Sequence, residues 1–161
     1  MLTAGAEADV DPFVALLEEA AAWLWERGIP QWQPGTMRAR RSLFVHAARS
    51  EGLLLARRGD ALVAGCLLTP QRDPYWEEPA QPACTVHALV VARSAAGQGL
   101  GRRVLDAAGE LARREGAALL RLDCWDGNET LRAFYRAAGF SELHAVLAQG
   151  ARLRLFEKRI S

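Results

Sequence analysis

Apolar positions along the chain change period several times, and each change marks an element. Phe13, Leu16, Leu17, Ala20 and Leu24 recur at helical spacing, which predicts an amphipathic helix. Asp11 and Pro12 are suited to open it as N-cap and first helical residue, and Gly28 to stop it after Arg27. A loop with two prolines, Ile29 to Gly35, follows, then a weaker helical pattern from about Thr36 to Ala48. Leu53–Ala56 and Ala61–Leu68 flank Arg58-Gly59-Asp60 and read as an antiparallel hairpin. In this position the Arg-Gly-Asp triplet is turn chemistry rather than an adhesion motif.

Thr69 to Pro82 holds four prolines and the acids Asp73, Glu77 and Glu78, the pattern of a long irregular loop. Cys84 to Val91 then reads as a strand. Leu100 to Glu115 reads as a helix with Leu100, Val104, Ala108 and Leu111 inward and a Glu110–Arg114 pair on its wet face. Gly116 ends it. Ala118–Cys124 is a second buried strand, Asn128 caps a short helix that Gly139 ends, and Ser141–Leu147 with Ala151–Ile160 form a closing hairpin around Gln149-Gly150.

The chain has 161 residues, 50% hydrophobic and 24% charged, with a net charge of +1. That is room for one domain with its own core. The balanced charge argues against nucleic acid as a partner, and no apolar run reaches the roughly 20 residues of a membrane span. The N-terminus lacks the basic and apolar regions of a signal peptide. Cys66, Cys84 and Cys124 are widely spaced, which argues against a disulfide framework or a metal knuckle. These features together predict a reduced, cytoplasmic protein without a metal.

The chemistry concentrates at Ala96-Gly97-Gln98-Gly99-Leu100-Gly101, between a predicted strand and a predicted helix. Alternating glycines let backbone approach a ligand closely. The helix start beyond them offers unpaired N–H groups to an anion, usually a phosphate. A dinucleotide fingerprint would place its third glycine at Arg102 and needs several parallel strands afterwards, which this chain lacks. A Walker loop would need Lys-Ser or Lys-Thr after the glycines.

The continuation is Asn128-Glu129-Thr130-Leu131-Arg132-Ala133-Phe134-Tyr135-Arg136-Ala137-Ala138-Gly139-Phe140. Asn, Tyr seven residues on, then Gly-Phe resembles the second CoA-binding motif of the GNAT acetyltransferase superfamily. Leu89 and Val91 followed by Gly97-Gln98-Gly99-Leu100-Gly101 resembles its pyrophosphate motif. The two together cover about residues 85–141. The earlier phrases around Trp23 and Arg27–Trp32 resemble a bacterial small-molecule branch.

That resemblance implies an α/β GNAT fold. It implies a mixed, mostly antiparallel sheet of six to seven strands with about four helices. The single domain would divide into an acceptor-side half (1–82), an acetyl-CoA core (83–141) and a C-terminal hairpin (142–161). The implied activity is acetyl-CoA-dependent N-acetylation of a primary amine, that of a small molecule. The alternatives are a protein N-terminus or lysine as acceptor, and a catalytically silent CoA-binding sensor. The protein would be a monomer or a homodimer.

The resemblance also distributes roles. Leu89, Val90 and Val91 would hold the pantetheine arm beside a splay or bulge, one N–H there facing the thioester oxygen. Ala96, Gly97, Gln98, Gly99, Leu100, Gly101 and Arg102 would hold the diphosphate. Ala96 stands where the family usually has Arg or Gln, so Arg93, Arg102 or Arg103 becomes the alternative source of charge. Asn128 would touch the cofactor or cap its helix. Tyr135 is the expected general acid, a phenol near pKa 10 facing a thiol near 8.5. By period two His87 shares a strand face with Thr85, Leu89 and Val91. It is the expected base, with Asp73, Glu77 and Glu78 as alternatives. Trp32, Trp76, Glu77 and His87 would border the acceptor, and Asp123 would cap or turn the chain near the cofactor.

Overall fold

A computed structural model describes residues 2–161. The chain runs β1 (Leu2–Ala4), a 3-10 turn (Glu7–Asp9), α1 (Val10–Trp25), α2 (Thr36–Ala39), α3 (Arg41–Arg49), β2 (Leu53–Arg58) and β3 (Ala61–Thr69). It continues through β4 (Ala83–Val91), a second 3-10 turn (Arg93–Ala95), α4 (Leu100–Arg114), β5 (Leu119–Trp125), α5 (Glu129–Ala137), β6 (Ser141–Ala148) and β7 (Ala151–Arg159). All seven strands join one sheet in the order β1-β2-β3-β4-β5-β7-β6. Every neighbouring pair is antiparallel except β4 with β5.

Helices cover both faces. Val104, Leu105, Ala108 and Ala112 of α4 and Tyr135 and Ala138 of the α5 region pack on Cys66, Cys84, Val86, Leu120, Leu122 and Cys124. Phe13, Leu16 and Leu17 of α1, Met37 of α2 and Phe44 of α3 pack on Leu53, Leu55, Leu67 and Val90 from the other side. Phe13 and Phe44 meet edge to face at 5.6 Å.

Both hairpins turn where the sequence expects. Gln149 (φ 54°) and Gly150 (φ 74°) form the two-residue β6–β7 turn with both residues left-handed. The first helix differs from expectation. It starts at Val10 rather than after Asp11. Asp9 accepts the Ala6 N–H at 2.8 Å, while Asp11 pairs with Arg41 on α3. The region from Thr36 to Ala48 splits at Arg40 (φ −98°, ψ 12°) into α2 and α3. Glu18 of α1 accepts the N–H groups of Gly35, Met37 and Arg38, fixing the start of α2.

Candidate active site

The site is built where β4 and β5 part. Their parallel rungs are Ala83–Leu119, Cys84–Leu120 and Thr85–Arg121. Beyond Thr85 the two strands have no rungs to each other, although β5 stays paired with β7 as far as Trp125. The facing edges therefore present free backbone donors and acceptors to anything lying between them.

A bulge sharpens the parting. Leu67 faces His87 and Gly65 faces Val90, so Ala88 and Leu89 together oppose Cys66. Ala88 has φ 52°, a left-handed conformation for a residue with a side chain. Such a residue costs about 1–2 kcal/mol and survives only when its surroundings over-determine it. The bulge corrects the period-two assignment of His87. Thr85 and His87 alternate with Cys84 and Val86, which face α4 and α5. After the extra residue Leu89 and Val91 pack on that α4/α5 cluster, while Val90 and Ala88 turn to the α1 side. His87 therefore does not share a face with Leu89 and Val91.

The glycine loop takes the form of an anion cradle. Gly97 (φ 74°) and Gly99 (φ 75°) are left-handed. A Cβ at either would meet no protein atom within 4 Å, so the space beside them is open for a ligand. Gly99 is the N-cap of α4, and the first intrahelical bond is from Arg103 N–H to Gly99 O. The N–H groups of Leu100, Gly101 and Arg102 are left without helical acceptors. Gly101 differs: a Cβ there would lie 3.1 Å from Phe134 Cζ, so its smallness serves the packing of α4 on α5.

No side chain at Ala96 contributes charge, and the three arginines named in its stead have different fates. Arg93 stacks on Trp23 at 3.8 Å, with Arg27 also over that ring at 3.9 Å. Arg102 is held by Asp106 and by the Ala137 carbonyl. The Arg103 side chain makes no hydrogen bond or ion pair among the described residues, and it stands in the first turn of α4. Gln98 is turned toward Arg58, whose guanidinium donates to its side-chain oxygen.

On the α1 side, the long loop bends over the parting. His87 Nε2 lies 3.6 Å from Asp73 Oδ2. The Tyr75 hydroxyl donates to Asp123 Oδ2 at 2.8 Å and lies 3.3 Å from Asp73. Burial and the two carboxylates push the Tyr75 phenol well above its ordinary range, so it stays a donor. Burial also raises the Asp123 carboxyl, against the Tyr75 hydrogen bond, which lowers it. Asp123 is thus a mid-strand residue of β5, neither cap nor turn. Gln31, next to Trp32, accepts the Trp125 N–H at 3.0 Å, so the α1–α2 loop bridges the end of β5. Trp32 packs against the cluster that holds Val90.

Two acceptor-side expectations change. Trp76 is only 3% exposed, with the Arg121 guanidinium 4.6 Å over its ring. It supports the loop from within rather than lining an open pocket. Glu77 contributes its carbonyl to Arg121, and its side chain is exposed. Asp73 and Tyr75, by contrast, stand at the centre. Asp73 was legible as an acid of the loop, whereas Tyr75 carried no signal beyond its neighbourhood.

Asn128 caps α5, its side chain accepting the Leu131 N–H at 3.1 Å. Tyr135 is 4% exposed and packs among Phe134, Phe140 and Phe156 at 5.3–6.0 Å between ring centres. Burial, with Cys124, Asp123 and Cys66 as neighbours, drives its phenol far above the usual range. The expected match to a thiol is therefore lost. The hydroxyl remains protonated, a hydrogen-bond donor rather than a ready acid. Cys66 and Cys124 are pushed up to about 12 by burial and stay inert thiols.

A bulged strand parting from a parallel neighbour, followed by a glycine cradle at a helix start, is the arrangement that the GNAT resemblance implies. Residues 17–140 match the acetyltransferase (GNAT) family. The chain belongs to that family and is an N-acetyltransferase by kinship. It is similar to the uncharacterized N-acetyltransferase YesJ of Bacillus subtilis, 29% identical over 95% of this chain and 86% of that one. Its fold is shared with a ribosomal-protein-alanine N-acetyltransferase from Brucella melitensis, with TM-score 0.75, 24% identity and 99% of both chains covered. It is shared with a GNAT acetyltransferase from Streptococcus agalactiae, with TM-score 0.81, 18% identity and 99% and 94% covered. It is shared also with yncA of Salmonella typhimurium, solved with its cofactor acetyl-CoA, with TM-score 0.74, 15% identity and 100% and 94% covered. Among the described residues no helix is long and apolar enough to cross a membrane.

Proposed function

We propose that the protein transfers the acetyl group of acetyl-CoA to the primary amine of a small molecule. The observation that carries this reading is the parting of β4 and β5 beyond Thr85–Arg121, with His87 two residues past the last rung and open space beside Gly97 and Gly99 of the loop that follows β4. The residues fit the group. The N–H groups of Leu100, Gly101 and Arg102 would hold its diphosphate, and the free edge of β4 at Leu89–Val91 its pantetheine arm. Bound there, acetyl-CoA supplies an activated acyl carbon.

His87 takes the proton the amine must lose, because an alkylammonium near pKa 10.4 has no lone pair for attack at neutral pH. Asp73 Oδ2 lies 3.6 Å from His87 Nε2 on the same side of the cleft. As the new C–N bond forms and the C–S bond breaks, the departing sulfur needs a donor. Tyr135 of α5, whose hydroxyl stays protonated, would be that donor. It would stabilise the departing thiolate by that hydrogen bond, with the proton coming from solvent or returning from His87.

A small acceptor is favoured over a protein tail by the two bridges across the mouth, Gln31 to Trp125 and Tyr75 to Asp123. An amine panel incubated with acetyl-CoA and read by mass spectrometry tests the reading. A gain of one acetyl group on small primary amines supports it. Acetylation confined to peptides would transfer the activity to protein acceptors.

A further inference from the structure

We infer that Asp123 is the residue that recognises the acceptor's ammonium group, and that the Tyr75 hydroxyl occupies its place until the acceptor arrives. The inference rests on the N-acetyltransferase reading of the same cleft. Asp123 lies two residues beyond the last β4–β5 rung. It alternates with Leu122 and Cys124, which point into the α4/α5 core, and so faces the acceptor side with His87.

Tyr75 has a single O–H, and its oxygen lies within reach of both Asp123 Oδ2 and Asp73 Oδ2. It can satisfy one carboxylate and leaves the other short of a donor. Nearby cations do not make up the deficit: His87 Nε2 faces Asp73 at 3.6 Å, beyond hydrogen-bond distance. Arg121, on the same face of β5, is spent on Glu157 at 2.8 Å, on the Glu77 carbonyl at 3.0 Å and on the Trp76 ring. Among the described residues, no Lys or Arg pairs with Asp73 or Asp123. Half-buried carboxylates are ordinarily matched by a cation or by several donors.

What the site lacks is one positive charge with several donors on a small head. A primary ammonium has both, and no backbone amide or hydroxyl does. It would displace the phenol from Asp123 and bridge the two carboxylates. That seats its nitrogen beside His87, which then removes the proton needed for attack. The selected acceptor is thus a cationic alkylamine, not an arylamine that is neutral at working pH.

The test titrates propylammonium chloride into CoA-saturated enzyme, followed by NMR, with sodium chloride as the ionic-strength control. Wild type is expected to show saturable binding. Asp123→Asn, which can still accept from Tyr75, is expected to weaken it about tenfold or more while leaving CoA affinity and melting temperature nearly unchanged. Tyr75→Phe, which frees the carboxylate, is expected to tighten it. Equal propylammonium affinity in wild type and Asp123→Asn would overturn the inference. So would absent binding in wild type, or Tyr75→Phe weakening as much as Asp123→Asn, which would assign the contact to the phenol. Failure of CoA itself to bind would instead overturn the acetyltransferase reading. Asp123-dependent ammonium binding without any turnover would keep the recognition site and discard the catalysis.

Discussion

Gln31 and Trp125, ninety-four positions apart, are joined by a 3.0 Å hydrogen bond from the Trp125 N–H to the Gln31 side-chain oxygen. The bond closes the α1–α2 loop over the open end of β5. Gln31→Ala removes the acceptor and leaves the strand donor to water. A loss of about 1 kcal/mol is expected, a fall in melting temperature of roughly 2–4 °C. Amide exchange across residues 29–35 should quicken with it, and unchanged exchange there would mean that the loop is held by Trp32 packing alone.

Two glycines of the cradle, alike in sequence, are expected to fail differently. Gly99→Val puts a branched side chain at φ 75° into open space beside the helix start. Acetyl-CoA binding by calorimetry should be lost in a protein that still folds. Gly101→Val drives its side chain into Phe134, whose ring atom is already 3.1 Å from a Cβ at that position. Its first effect should be on thermal stability, by about 1–3 kcal/mol of overpacking. Normal cofactor affinity in folded Gly99→Val would contradict the phosphate assignment.

Tyr135→Phe removes a hydroxyl and almost no volume. As a donor to the departing sulfur its loss should cost roughly 10²-fold in turnover, with acetyl-CoA affinity little changed. Because burial holds the phenol far above its usual range, no limb of the pH–rate profile below about pH 10 should belong to it. Near-normal turnover would leave Tyr135 as a packing residue among Phe134, Phe140 and Phe156.

Acid should loosen the C-terminal third of the chain. Asp126 is lowered first by the Arg154 hydrogen bond, and Glu142 first by that of Arg132. A carboxyl with a lowered folded pKa adds stability above its unfolded value, near pH 4, and loses it as pH falls through the folded one. The melting temperature should therefore drop below about pH 4.5. Asp126→Asn should flatten that dependence, and an unaltered acid slope would show that these part-buried pairs carry no stability.

Much of the fold was legible because its signals are local. The Gly59-Asp60 and Gln149-Gly150 turns, Gly116 and Gly139 at helix ends and the Asn128 cap each follow from backbone preferences of single residues. The start of α1 was less so, since the Asp9 side chain bonds back to Ala6 and that of Asp11 pairs with Arg41 from another helix. The glycine cradle was readable as a motif, yet the different duty of Gly101 needed the α5 neighbour. The bulge at Ala88 was beyond period-two reasoning, because an alanine at positive φ is imposed by pairing with β3. The Asp73–Tyr75–Asp123 chain joins two residues of a loop without periodicity to a strand far along the sequence, and only the fold brings them together.

Amine-dependent acetyl transfer shows most directly in one rate. Free CoA thiol released from acetyl-CoA should be slow without amine and should rise saturably with a small cationic primary amine. Each equivalent of thiol should be matched by one of acetylated amine, and the rise should vanish in Gly99→Val. Tight acetyl-CoA binding with thiol release indifferent to every amine would contradict it and leave a CoA-binding sensor in its place.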